Sequence, residues 1–242
     1  CASDVGLGKK EKEHSIQHLA IIGAGPAGLE LAIQAAKRKI PVSLYEKESF
    51  IGGNLIGAAI IYEPYEKLLN YYKESIANEF IDLHLNSEID LNKLSNQFKD
   101  NQTVVLSSGA LLGPSKINAT NIQTWLNPFI QSSNGKIQLI KSSIKKTKIG
   151  NCAIIGTDTI QLHLASFLSS IGIKVSLVKN TDDVGASMPV VLRWKVLDDI
   201  NNQVPIISET EYLQREFDIA LDTNFLAREN LNSANIIGDS KH

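Results

Sequence analysis

At 242 residues, 43% hydrophobic and 21% charged, the chain has an ordinary globular composition and room for one large domain or two small ones. Its net charge of −2 argues against the clustered basic surface that nucleic-acid binding needs, and no apolar run approaches the ~20 residues of a membrane-spanning helix. Two cysteines, Cys1 and Cys152, neither in a C-x-x-C pair, exclude a disulfide framework and a dithiol redox motif, and they suit a reducing, cytoplasmic compartment.

Residues 2–16 are polar and read as a lead-in arm. The start Cys1-Ala2-Ser3 leaves a lipid anchor through Cys1 as an alternative location. The apolar run Leu19–Ile22 predicts a buried parallel strand, broken by Gly23-Ala24-Gly25-Pro26-Ala27-Gly28 and continued by an Ala- and Leu-rich helix to about Lys39. In this pattern Gly23 makes the tight turn, Gly25 lets backbone approach a pyrophosphate, and Gly28 lets helix and strand pack closely. The helix start directs N–H groups and the positive dipole end at the phosphates. A second strand, Pro41–Tyr45, ends at Glu46, about 20 residues on, where a carboxylate accepts hydrogen bonds from a ribose.

A second glycine turn, Ile51-Gly52-Gly53-Asn54-Leu55, follows, and Leu68, Tyr72 and Ile76 at i, i+4, i+8 predict a helix over 64–79. Strands are predicted over 80–85 and 103–106, the latter ending in Ser107-Ser108-Gly109, with a hinge at Gly113-Pro114. The basic stretch Lys141–Lys148 reads as a solvated loop. From Asn151 the pattern repeats: strand 152–155, in which Cys152 is a buried small hydrophobe, a turn at Gly156, helix 159–171 and strand 174–178. A helix over 188–201 and strands over 204–208, 217–221 and 235–237 complete the reading, the last before Gly238-Asp239.

These stretches resemble the two-dinucleotide-binding-domain flavoproteins, in particular the C-terminal half of the enzymes typified by 2,4-dienoyl-CoA reductase, trimethylamine dehydrogenase and enoate reductases. The resemblance implies an α/β, Rossmann-like FAD/NAD(P)-binding fold of two βαβ lobes with parallel sheets, the second inserted in the first. The corresponding domains are 1–112 plus 213–242 for FAD (ADP) and 113–212 for NAD(P). It implies cofactor contacts at Gly23, Gly25, Pro26, Ala27, Gly28, Glu46 and Lys47, at Gly53 and Asn54 of the second turn, at Gly109, and at Gly238 and Asp239. It also implies FAD as cofactor, with ADP alone as the alternative, and a redox partner or an upstream barrel and iron–sulfur domain. Cys1 falls near the family's iron–sulfur cysteine, but a cluster needs four thiolates, so Cys1 is a metal ligand only if upstream sequence supplies the others.

The second glycine motif departs from the pattern. In Gly156-Thr157-Asp158-Thr159-Ile160-Gln161-Leu162-His163, Asp158 stands where the backbone must approach a pyrophosphate, and Gln161 replaces the glycine of close helix packing. Like charges ~4 Å apart repel by ~4 kcal/mol near a protein surface. NAD(P)H is therefore not expected in this lobe, and His163 is read as a packed or exposed helix residue. The paired acids Glu46/Glu48, Asp182/Asp183 and Asp198/Asp199 share no helix face and read as solvated. There is no nucleophile elbow, H-E-x-x-H or zinc spacing, so no catalytic residue is assigned and any redox chemistry belongs to a cofactor. Two functions remain open: an FAD-dependent oxidoreductase domain relaying electrons to or from a partner or substrate, and a non-catalytic ADP- or FAD-binding module of a larger redox complex.

Overall fold

The computed structural model describes residues 16–90, 93–98, 102–109, 118–179, 183–200 and 203–223. In chain order its first elements are β1 (His18–Ile22), α1 (Pro26–Lys37), β2 (Val42–Tyr45), α2 (Asn54–Ile61), α3 (Glu63–Asn78), β3 (Ile81–His84), α4 (Leu94–Gln97) and β4 (Gln102–Leu106). There follow β5 (Thr120–Asn121), α5 (Ile122–Ser132), α6 (Ile137–Lys145), β6 (Asn151–Ile155), α7 (Thr159–Ser170) and β7 (Lys174–Val178). The last are α8 (Val190–Ile200), β8 (Ile206–Ile207), α9 (Glu209–Leu213) and β9 (Ile219–Asp222). The chain forms two compact units, residues 1–51 with 72–108 and residues 52–71 with 109–242.

The first unit holds a parallel sheet in the order β3-β2-β1-β4. Ala20 and Ile21 of β1 and Leu44 of β2 are fully buried, as are Leu29, Ala32 and Ile33 of α1, so strand and helix bury one continuous apolar layer. The strand order reverses direction at β1, which has β2 on one side and β4 on the other. A ligand crevice is expected at the carboxyl ends of the strands at such a switch point, and the first glycine loop lies at the end of β1.

The second unit repeats the plan with the parallel order β5-β9-β6-β7-β8. Here β6 is the switch strand, flanked by β7 and β9, and the second glycine loop follows it. Cys152, Ala153 and Ile154 of β6 are fully buried, with Leu162, Leu164 and Ala165 of α7. The α/β architecture with parallel sheets agrees with the sequence reading.

Two expectations are corrected, and one helix lies where no element was expected. Residues 219–222, part of the 213–242 segment expected in the first lobe, form β9, which pairs in parallel with β6, Cys152 opposite Ile219 and Ile155 opposite Asp222, and so lies in the second sheet. Lys141–Lys145, expected as loop, is helical: α6 runs to Lys145 because Ile137, Ile140 and Ile144, at i, i+3, i+7, form a buried stripe. Lys141 of that helix pairs with Glu66 at 3.1 Å. The residues after the second glycine turn form α2, whose Leu55, Ile56, Ala59 and Ile60 are buried. The 235–237 strand, the Gly113-Pro114 hinge, Cys1, Asp182, Gly238 and Asp239 lie outside the described residues.

Candidate functional site

In the first lobe the three glycines have three different surroundings. Gly23 has φ +105°, and a Cβ there would stand 2.7 Å from the Ser107 carbonyl oxygen, so the turn after β1 requires glycine. A Cβ at Gly28 would stand 2.0 Å from the Gly23 carbonyl oxygen and 2.6 Å from Ser107 Oγ, so the first turn of α1 rests directly on the loop. A Cβ at Gly25 would meet nothing within 4 Å. Gly25 is thus free of both packing and positive-φ demands, and the space beside it is open.

Gly25 is also the N-cap of α1, with Pro26 following; no side chain caps this end and its first turn carries no acid. A helix start of this kind offers backbone N–H groups and a positive field to an anion. Glu46 stands at the end of β2 and is 8% exposed, so it is buried rather than solvated as its acidic run suggested. Its Oε2 accepts from Ala24 N at 2.8 Å and its Oε1 from Glu48 N at 3.0 Å. A carboxylate oxygen has two lone pairs, so each keeps one beyond these bonds. Beside it Tyr45 stacks on His84 (centroids 4.6 Å apart, 9° between planes) and meets Phe98 edge-on at 5.5 Å, giving an aromatic wall that sequence reading missed.

The structure therefore brings together Gly23, Gly25, Pro26, Ala27, Gly28 and Glu46. Lys47, next in sequence, is exposed and lies 3.9 Å from Glu48. Gly53, Asn54 and Gly109 fall in the second unit. There Gly53 is the N-cap of α2 with φ 50°, and Asn54 Oδ1 accepts from Gln123 Nε2 at 2.6 Å. Gly109 has φ +73° and open space at its Cβ position.

The second loop is built on the same plan and filled differently. Gly156 keeps the turn with φ +107°, but a Cβ there would lie 3.0 Å from Nε2 of Gln161, whose side chain occupies the loop. Gln161 Oε1 accepts from Asp158 N at 3.2 Å, and its Nε2 donates to Thr223 Oγ1 at 2.6 Å. Asp158 Oδ1 accepts from the Ser187 hydroxyl at 2.6 Å and from Ser187 N at 3.2 Å. The Ser187 hydroxyl bond holds the Asp158 carboxyl below the usual carboxylate range, so a negative charge sits at the start of α7. Ser187 and Thr223 were invisible as parts of this motif, being 29 and 62 residues from their partners. His163 is buried and packs on Tyr62 (centroids 4.4 Å), and burial lowers its pKa. Cys152 is fully buried and its thiol is pushed up to about 12 by desolvation, which makes it inert.

Among the described residues no group of three or more His, Cys, Asp or Glu side chains could hold a metal ion. Nor is any described helix long and apolar enough to cross a membrane.

Two parallel sheets, each with a glycine turn and a helix start at its switch strand, define a two-lobed α/β protein of the dinucleotide-binding class. Residues 17–218 match the family model of the pyridine nucleotide-disulphide oxidoreductases, and the chain belongs to that family. It is 23% identical over 189 residues to an NADH oxidase of Thermoanaerobacter brockii, covering 74% of this chain and 27% of that protein. It is 26% identical over 190 residues to a thioredoxin reductase of Ureaplasma parvum serovar 3, covering 73% of this chain and 59% of that one. Among solved structures, a 2-naphthoyl-CoA reductase superposes with a TM-score of 0.68 at 19% identity, over 92% of this chain and 35% of that chain. The chain thus spans less than two thirds of the length of each of these relatives.

Proposed function

We propose that this chain is a flavoprotein oxidoreductase module whose first lobe holds the ADP part of FAD. The observation that carries the reading is the open space at Gly25, set before an uncapped helix start and beside a buried carboxylate with lone pairs to spare. Gly25 and the N–H groups of Pro26–Gly28's turn that are available for donation, Ala27 and Gly28, receive the pyrophosphate, and Glu46 accepts from the ribose hydroxyls. Lys47, Gly53, Asn54, Gly109, Gly238 and Asp239 complete the proposed contacts, as the resemblance to the dienoyl-CoA reductase and trimethylamine dehydrogenase group implies. When bound, FAD supplies the redox chemistry; the protein binds and orients it. A redox partner, or a domain of a larger protein, is the proposed source or sink of electrons, in a cytoplasmic setting.

The second lobe, on this proposal, does not take NAD(P)H in the usual manner. The Gln161 side chain fills the space under its glycine turn, and the Asp158 carboxylate opposes a pyrophosphate at the start of α7. That filling also favours a second reading, in which the chain is a non-catalytic FAD- or ADP-binding subunit. Releasing the bound ligand from purified protein by heat and identifying it separates the two. Flavin that is reduced by an added donor supports the oxidoreductase, whereas adenine nucleotide without flavin supports the structural module.

A further inference from the structure

We infer that Ser107 is a positioning residue for the first glycine loop, a hydroxyl latch whose counterpart in the second lobe is Thr223. Register places the two residues alike. Leu106 pairs with Ile22, and Ser107 and Gly23 come next on their strands; Asp222 pairs with Ile155, and Thr223 and Gly156 come next. Gly28 and Gln161 are likewise equivalent, each five residues beyond its turn glycine.

Ser107 N donates to the Ile22 carbonyl at 2.8 Å, so strand pairing already serves that oxygen. The Ser107 hydroxyl lies 2.7 Å from the Gly23 carbonyl and 3.0 Å from that of Ile22, and its one hydrogen goes best to Gly23. The Gly23 carbonyl is the group against which a Gly28 side chain would collide, so the hydroxyl and the missing side chain are two halves of one fit. Ser107 thereby ties the loop by its backbone and leaves the space at Gly25 clear. Thr223 instead accepts from the Gln161 amide, a side chain that occupies its loop. Equivalent hydroxyls thus hold one loop open and the other filled.

A latch of this kind preorganises the loop before any ligand arrives. The inference rests on the first lobe being the nucleotide site only for its effect on affinity; the ordering of the loop is independent of it. The test uses the full chain with Ser107→Ala and Ser107→Thr, the latter keeping the hydroxyl. Deuterium uptake at residues 20–30 is measured without nucleotide, and ADP affinity by calorimetry. Ser107→Ala is expected to speed exchange of the loop amides and weaken ADP by about tenfold, the loss of one part-buried hydrogen bond. Exchange in β6 and α7 should not change, and Ser107→Thr should restore both readouts. Unchanged loop exchange in Ser107→Ala, or a uniform rise across both lobes, would overturn the latch. If the wild type binds no ADP, the nucleotide reading falls, while the exchange data still decide the latch.

Discussion

Alanine substitutions at Gly25 and Gly28 should have opposite signatures, although the two residues lie three apart in one motif. At Gly28 the added methyl would sit 2.0 Å from a backbone carbonyl oxygen that cannot swing aside. Overpacking of this severity falls at the upper end of the usual ~1–3 kcal/mol, and alanine's better helix propensity offsets about 1 kcal/mol of it. The net loss is about 2 kcal/mol, a fall in Tm of roughly 4–8 °C for a chain of this size. At Gly25 the methyl meets nothing within 4 Å. Stiffening the unfolded chain gains ~0.4–1 kcal/mol, and alanine's poorer capping loses roughly 0.5–1 kcal/mol. Stability should therefore stay within about 1 kcal/mol, or about 4 °C. The methyl nevertheless occupies the space where a pyrophosphate must approach, and an overlap worth ~1–3 kcal/mol weakens ADP by about 5- to 150-fold. Thermal melts with and without ADP, together with titration calorimetry, read both effects. A Gly25→Ala protein that binds ADP like wild type, or a Gly28→Ala protein of wild-type stability, would refute the division of roles.

Glu46→Gln removes one of the two carboxylate acceptors that hold Ala24 N and Glu48 N, so a loss of roughly 1–3 kcal/mol in urea unfolding is expected, together with weaker ADP binding. Asp158→Gly alone should not produce NADH turnover, because Gln161 still fills the loop; steady-state oxidation appearing in that single variant would contradict the argument. Burial holds the His163 pKa below its ordinary value of about 6.5. Below that pH the unfolded chain binds the extra proton first, so stability falls as pH drops from about 6.5 toward the lower folded value. Melts between pH 7 and pH 5.5 should show this decline, and His163→Phe, which keeps an aromatic ring against Tyr62, should reduce it.

Much of this fold is readable along the chain because its signals are local. Gly23, Gly25 and Gly28 are informative because an apolar strand precedes them and an Ala-rich helix, a second strand and Glu46 follow, and the repeat from Asn151 carries the same strand and helix periods. Helix α2 was hidden because Asn54–Ile61 is apolar on nearly every side and contains Gly57, so no face stands out. Helix α5 contains Pro128, which reads as a breaker, although Asn121 caps it by accepting from Gln123 N. The sheet that a four-residue strand such as β9 joins is a tertiary choice with no local marker. The same holds at the site. The glycines and Glu46 follow from sequence spacing, whereas Ser107, Ser187 and Thr223 act through contacts 29 to 84 residues away. Asp158 and Gln161 stand out in the sequence as departures from the pattern, but their mutual bonding, which fills the loop, is set by the fold.

The loop at residues 23–28 is proposed to hold the adenosine diphosphate end of a nucleotide. Its most direct test is chromatography of the ligand released from native protein, run beside Gly25→Asp, which puts into the first loop the residue that the second already carries. FAD or ADP is expected in near-stoichiometric amount from the wild type and none from the variant. Equal occupancy in the two proteins, or an empty wild type that takes up neither FAD nor ADP, would contradict it.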